Sequence, residues 1–585
     1  MLAVMLPRMI KLFKLLALFL FTFSSAARAE ETSAPKYPAV TVYEAKKIIT
    51  MEPALPEAKF AAVADGIILG VGRSIDDLQA WTKDRSVTVD RQFAGKTLMP
   101  GFVEPHIHPM QAILMLPLPF IAPEEWKLPG RTYPAANGRA GYEKLLRKEL
   151  SKSKEKLFIT WGHHRLFHED MDRKELDRIA PNRAVVVWQR SFHEIIANSK
   201  ALELLNIGTE QAFKSTIIKP GVEPHHASFE KGVISETALF GGLEVLRPYL
   251  YSPAKISLGL SQMKKMMLEN GVTTSADLAF GGFGGVDNEA KIFKSLFDNP
   301  QTPSRILAIP TAPVVGDDPA AWLRTNKAKY GSSKMLFSNR VKLLADGAFF
   351  AQYMQMNPPG YSDGHEGKWI MPPDELSKYM QKFWKAGWTI HTHVNGDKGL
   401  DIVLGEIEKL PPRSGQTNVL EHLGFSTEAQ NRRIGKLGLM VSAQPNYIRV
   451  LAEAYSKTGL GTDRATQMNR LGSLERKGVP LGLHSDFNMA PIDPLFLVQV
   501  AATRRTLQGN QPSPNERLSL DKALRAITIE AAQVIGLDHM VGSIAAGKKA
   551  DFVILDQNPY DVGADGLDDI AIDGVIFEGR YFPAK

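Results

Sequence analysis

Between Pro100 and about Asn488, helical patterns alternate with short apolar runs, and this rhythm constrains the fold more than any other feature of the chain. Pro373-Asp374-Glu375 suits a helix's first turn, Leu376, Met380, Phe383 and Trp384 recur on one helical face, and Gly387 stops the run. Trp388-Thr389-Ile390 then enters as a strand. The same pairing leads from residues 252–270 into Val272-Thr273-Thr274-Ser275-Ala276, and from 432–437 into Leu439-Met440-Val441-Ser442-Ala443. Such alternation marks β/α units on a parallel sheet. Enough units are present for an α/β fold of the (β/α)8 TIM-like barrel type, whose reactive groups lie at the C-terminal ends of the strands. A doubly wound open sheet is the alternative, but the Gly-rich phosphate loop that it brings is not seen.

The predicted strand ends carry a repeated chemistry. Pro100-Gly101-Phe102-Val103-Glu104-Pro105-His106-Ile107-His108 ends in His-x-His, and a strand places residues i and i+2 on one face, so both imidazoles aim at one point. Taken alone, the pair reads equally well as two unrelated surface histidines. Later ends add partners of the same kind: Lys342 inside the apolar Arg340-Val341-Lys342-Leu343-Leu344, then Asp346-Gly347, Ile390-His391-Thr392-His393, Val419-Leu420-Glu421-His422 and Leu481-Gly482-Leu483-His484-Ser485-Asp486. A lysine in a buried strand is costly unless something compensates it. The chain has no cysteine, which excludes disulfides, thiolate metal sites and a thiol nucleophile.

Both ends of the chain are β-like. Thr41-Val42-Tyr43, Lys47-Ile48-Ile49-Thr50 and Phe60-Ala61-Ala62-Val63 lead through the turn Asp65-Gly66 into Ile67–Gly72, and the texture returns in Ala550–Leu555 and in 574–581. Neither end can bury a core alone, so the two are expected to pair as one small β-sandwich. The expected division is 30–98 and 536–585 for the sandwich and 99–535 for the barrel. Between the first and third barrel strands, about 110–236 is too long for an ordinary loop and reads as an irregular inserted subdomain over the barrel mouth. It holds His163, His164, His168, His225 and His226, read as structural or surface groups, and Trp126, Trp161 and Trp188, which suit either core or a specificity wall.

Residues 1–29 read as a leader. Arg8, Lys11 and Lys14 precede the apolar Leu15–Phe23, and Ala27-Arg28-Ala29 forms an A-x-A cleavage site. An uncleaved anchor is the competing reading. Cleavage implies a periplasmic location, with secretion as the second choice, and no stable membrane anchor. The 70 basic residues face 63 acidic ones, and removing Arg8, Lys11, Lys14 and Arg28 leaves 66. With no long basic run, nucleic acid is not an expected partner. A small-molecule substrate is, and a homodimer is the candidate assembly.

The ordered set of motifs resembles the amidohydrolase superfamily of metal-dependent hydrolases, in its family 3 branch. The resemblance runs from Asp65-Gly66 through Gly101-Phe102-x-x-x-His106-x-His108, Val341-Lys342, Asp346-Gly347, His393-x-x-Gly396-Asp397, Glu421-His422 and Ser485-Asp486. It continues to Thr528–Ala532 and Gly542-Ser543-Ile544-x-x-Gly547-Lys548-x-Ala550-Asp551. It implies one or two divalent ions, best zinc, with His106 and His108 on the first, His393 and His422 on the second, Lys342 bridging as a carbamate, and Asp486 as ligand and acid/base. An unmodified Lys342 with one ion is the alternative. Arg190-Ser191-Phe192-His193 and Ser235-Glu236 are similar to segments beside the active site, making His193 and Glu236 candidate substrate contacts, although Phe192 stands where the family more often has glycine. His484 likewise replaces a common glycine. The implied activity is hydrolysis of a non-peptide C–N bond in an amide, N-acyl or cyclic amide by metal-activated hydroxide. A lactonase or ester hydrolase on the same site, and a non-catalytic exported binding or regulatory protein, are the alternatives.

Overall fold

The computed structural model describes residues 37–584, so the expected leader and cleavage site lie outside the described residues. Among these, no helix is long and apolar enough to cross a membrane. The fold is mixed α/β, and its centre consists of parallel strands in two runs. In one run Phe102–Ile107 pairs with Val272–Phe280, then Arg305–Pro310, then the short Met335–Phe337. In the other, Arg340–Leu344, Thr389–Val394, Asn418–His422, Met440–Ala443 and Leu481–Leu483 follow in chain order. A parallel bridge between Thr311 and Lys342 links the runs at one seam. At the opposite seam the Ser485 amide donates to Glu104 Oε1 at 2.8 Å and the Asp486 amide to the His106 carbonyl at 3.2 Å.

These strands are buried nearly throughout, as parallel strands covered by helices must be. The helices form where periodicity and caps predict them. Pro373–Lys385 buries Leu376, Met380, Phe383 and Trp384, and Gly387 ends it at φ 79°. Pro253–Glu269 starts behind Ser252, whose side chain accepts from the Lys255 amide.

Both chain ends enter one sheet, in the order 580–583, 572–577, 552–555, 97–100, 40–49, 57–64, 67–72, with 87–90 also on 40–49. Phe552–Leu555 runs antiparallel to Thr97–Pro100, and Tyr43, Ile48, Leu98, Phe552, Ile554 and Ile576 bury one cluster between them. The Asp65-Gly66 turn has positive φ at both residues, 49° and 74°, the geometry that matches strand twist in a tight hairpin.

Two expectations about the long insertion change. It lies between the first and second parallel strands, since Val272–Phe280 pairs directly with Phe102–Ile107. Nor is it irregular: Leu157–His163, Ala184–Gln189, Glu194–Ala197, Ala227–Ser228 and Val233–Ser235 form a five-stranded sheet of its own. Tyr142, Leu146, Phe158, Leu176, Val185 and Val187 pack on that sheet. Trp126, Trp161 and Trp188 are fully buried and belong to the core. Of the histidines, His163, His164, His168 and His226 are buried and His225 is exposed.

One buried ion pair ties the terminal sheet to the central strands. Arg305, with no exposed surface, bonds Asp551, Glu578 Oε1 at 3.2 Å and Thr274 Oγ1 at 3.0 Å. Arg305→Met leaves Asp551 buried without its partner and is expected to cost roughly 3–5 kcal/mol in urea unfolding. Adding Asp551→Leu should recover much of that loss. A single variant as stable as the parent would contradict this role.

Candidate metal centre and active site

The eight candidate site residues read from the sequence meet at one place. His106, His108, Lys342, His393, His422, Asp486, His193 and Glu236 all line a cavity of about 500 Å³. The cause is strand registry. His106 closes the first strand, Lys342 lies beside His391 on the next strand, Leu344 beside His393, and Val394 beside His422. The C-terminal ends therefore converge. Asp486 follows the last strand at φ 47° and His422 stands at φ 71°. Non-glycine residues in this region cost of order 1–3 kcal/mol and persist where surrounding structure dictates them.

The donor atoms are close. His108 Nε2 is 3.3 Å from Asp486 Oδ1, His106 Nε2 is 3.8 Å from the same oxygen, and His422 Nδ1 is 3.7 Å from Oδ2. His393 meets His422 edge-on, with ring centroids 4.5 Å apart. Two overlapping groups, His106–His108–Asp486 and His106–His422–His484, each keep their donor atoms within 4.8 Å of one another. His484, expected from the sequence to bear on substrate fit and to lie outside the ligand set, instead enters the donor group through Nε2, 3.1 Å from His422 Nδ1, with Nδ1 held by Ser442 Oγ at 2.7 Å.

Protonation follows from burial. Desolvation pushes His106, His393 and His422 well below the usual imidazole range and brings His108 to about 4. Neutral imidazoles are the form that binds metal. Burial also lowers Lys342 to about 8 against the opposing pull of Glu421 and Asp486, so a sizeable neutral fraction exists near neutral pH. Burial raises Asp486, with His108 and Lys342 acting against it.

A buried relay fixes the direction of His106. Arg340 can only donate, and its Nη1 lies 2.8 Å from His391 Nε2, so that nitrogen accepts and the proton sits on Nδ1. His391 Nδ1 then donates to Glu421 Oε1 at 2.6 Å. Glu421 Oε2 accepts from His106 Nδ1 at 2.7 Å, which leaves the His106 Nε2 lone pair facing the cavity. Burial alone would raise Glu421; the bond from His391 and the charge of Lys342 overcome it and hold the carboxylate at about 2. On the other side of the pair, His108 Nδ1 lies 3.5 Å from Asp277 Oδ1.

The fit to a divalent ion can be tested on unsatisfied atoms. His106 Nε2 and Lys342 Nζ are buried without hydrogen-bond partners, a state that costs free energy unless a ligand is bound. A neutral imidazole set with one carboxylate is the donor chemistry that zinc and similar ions take. The residues fit.

His193 and Glu236 meet each other. Glu194 pairs with Ser235 across antiparallel strands, which sets His193 Nδ1 3.1 Å from Glu236 Oε2. Burial disfavours both charges, but their mutual attraction prevails, raising the histidine and lowering the glutamate. Phe192, the departure from glycine, adopts φ 67° and stacks on Trp188 at 4.5 Å.

Comparison with known proteins agrees with this architecture. The amidohydrolase family model matches residues 93–582, and the chain belongs to that family. It is 28% identical over 538 residues to protein LONG AFTER FAR-RED 3 of Arabidopsis thaliana, covering 88% of this chain and 86% of that protein. It is 24% identical over 538 residues to the N-substituted formamide deformylase of Arthrobacter pascens, covering 89% and 94%. The crystal structure of an uncharacterized metal-dependent hydrolase from Pyrococcus horikoshii OT3 superposes with a TM-score of 0.67 at 20% identity, covering 90% of this chain and 99% of that one. The chain is accordingly an enzyme, a hydrolase of the amidohydrolase family.

The relay gives a direct test. Glu421→Gln turns one of the two acceptor oxygens into a donor, so His391 and His106 can no longer both donate to it, and divalent-metal affinity is expected to weaken by roughly 10–100-fold, measured by competition with a chelating dye. Unchanged affinity would contradict the relay.

Proposed function

We propose that the enzyme hydrolyses a non-peptide C–N bond of an amide, N-acyl or cyclic amide substrate at this centre. The observation that carries the proposal is the convergence of buried, unpartnered His106 Nε2 and Lys342 Nζ with Asp486 in one cavity. His106 and His108 would hold a first ion, His393 and His422 a second, and Lys342, carboxylated, would bridge them. His484 is a further donor beside His422. A divalent ion there supplies Lewis acidity, lowering the pKa of water from 15.7 to about 7 and polarising a carbonyl.

The chain's own groups do the rest. Asp486, within 3.3 Å of His108 Nε2, takes a proton from the attacking water and returns it to the leaving nitrogen, because an amine departs only when protonated. The neutral fraction of Lys342 is the form able to react with carbon dioxide. His193 and Glu236, at the cavity wall, would contact the substrate beyond the reacting carbonyl.

Family membership and a relative named for deformylating N-substituted formamides favour C–N over ester chemistry. The two parallel runs are read as one closed (β/α)8 barrel, and the sheet of both termini as a small sandwich packed on it. The leader pattern supports a periplasmic enzyme acting on a small molecule.

Asp486→Asn should retain metal and lose 10²–10⁴-fold in turnover, measured on matched amide and ester panels. Retained turnover would remove Asp486 from its role, and faster ester than amide hydrolysis by the parent would favour the lactonase reading. Growth with ¹³C-bicarbonate should give a carbamate resonance that is absent from Lys342→Gln.

A further inference from the structure

The cavity's lining identifies the kind of substituent the substrate carries, an inference that rests on the hydrolase reading above. Leu278 in the second parallel strand, Phe283 after it and Val314 after the third join Phe350 and Ile370, after Arg340–Leu344, and Leu243 of the helix Leu239–Leu250. On the same helix Phe240 is 66% exposed at the edge of the lining set, a large apolar side chain left in water. The volume, about 500 Å³, is that of a small-molecule site and leaves ample space beyond the histidine cluster.

Charge around the cavity is arranged just as selectively. Lys342 is the single lysine among the lining residues, no arginine lines it, and Lys342 belongs to the histidine cluster. His193 and Glu236 neutralise each other, His226 bonds Thr237 Oγ1 at 2.8 Å, and Glu375 is an exposed anion. Arg165, Lys231 and Lys368 line an adjoining cavity of about 630 Å³, which shares His226 with this one. There Arg165 is bound to Glu194 and Lys368 lies 3.7 Å over the Tyr353 ring. A carboxylate carried onto the apolar wall, away from the histidine cluster, would lose its hydration with no lysine or arginine of that wall to meet it.

We infer that the enzyme acts on electroneutral, lipophilic amides: the scissile carbonyl faces His106, His108 and Asp486, and an uncharged alkyl or aryl substituent fills the space lined by Leu243, Leu278, Phe283, Val314, Phe350 and Ile370. Substrates whose substituent ends in a carboxylate, such as N-acyl amino acids, are excluded.

The test separates binding from chemistry. Ketone isosteres of N-alkyl acetamides, with CH₂ in place of NH and chains from methyl to hexyl, are titrated calorimetrically into the metal-loaded enzyme. Methyl-ended and carboxylate-ended forms of each are compared, and turnover of the corresponding amides is assayed separately. Affinity should tighten roughly threefold per methylene, as burial of CH₂ predicts, and each carboxylate form should bind at least about tenfold more weakly. Leu243→Arg, at a half-buried position, should narrow that gap, since it places a cation in the lining. Flat affinity along the series, equal or tighter binding of the carboxylates, or an unchanged gap in Leu243→Arg would overturn the inference. If the ketones follow the predicted trend while no amide is turned over, the cavity assignment stands and the amide-hydrolysis reading fails. If amides are turned over without regard to chain length or charge, the reverse holds.

Discussion

The carboxylate of Glu421 is the constraint on which the site depends. It is wholly buried, and each oxygen is committed to an imidazole, His106 on one side and His391 on the other. Because Arg340 presents only donors to His391, the protons along the chain have one consistent arrangement, and that arrangement leaves His106 Nε2 bare toward the cavity. A buried anion of this kind is stable only while its partners stay in place. The three strands that supply Arg340, His391 and Glu421 are adjacent and parallel, so the relay also fixes their lateral register.

From that anchor the rest of the centre follows by geometry. Parallel strands deliver their last residues to one side, His422 among them at positive φ, and the loops after them carry His108 and Asp486. The last seam is closed by backbone bonds from Ser485 and Asp486 onto Glu104 and His106, so the acid/base candidate is positioned by the same strand that bears the first imidazole. The insertion contributes differently. Its own sheet brings His193 against Glu236 and presents them to the cavity, so an element with a separate small core supplies part of the wall.

Much of this was legible in the sequence, because period and spacing report faces of local elements. The helix 373–385, the strand 340–344 and the hairpin at Asp65-Gly66 follow from patterns within a few residues, and the eight residues that line one cavity follow from motif order. What was missed depends on which strand lies beside which. Glu421 and His391 were visible in the motifs without a role, since a hydrogen bond between strands needs their register. The His-x-His spacing that marked 106 and 108 recurs at 391 and 393 and was the available signal. The insertion was misplaced by one strand because its own strands and helices mimic the rhythm of the central units. The tryptophans proved to be core, the ordinary fate of large apolar rings in a packed subdomain.

Anomalous diffraction from crystals of the purified enzyme, recorded on both sides of the zinc absorption edge, tests the central claim most directly. The account predicts an edge-dependent peak among His106 Nε2, His108 and Asp486 once the protein has been reconstituted with zinc. Reconstituted crystals without any such peak in this cavity would contradict it.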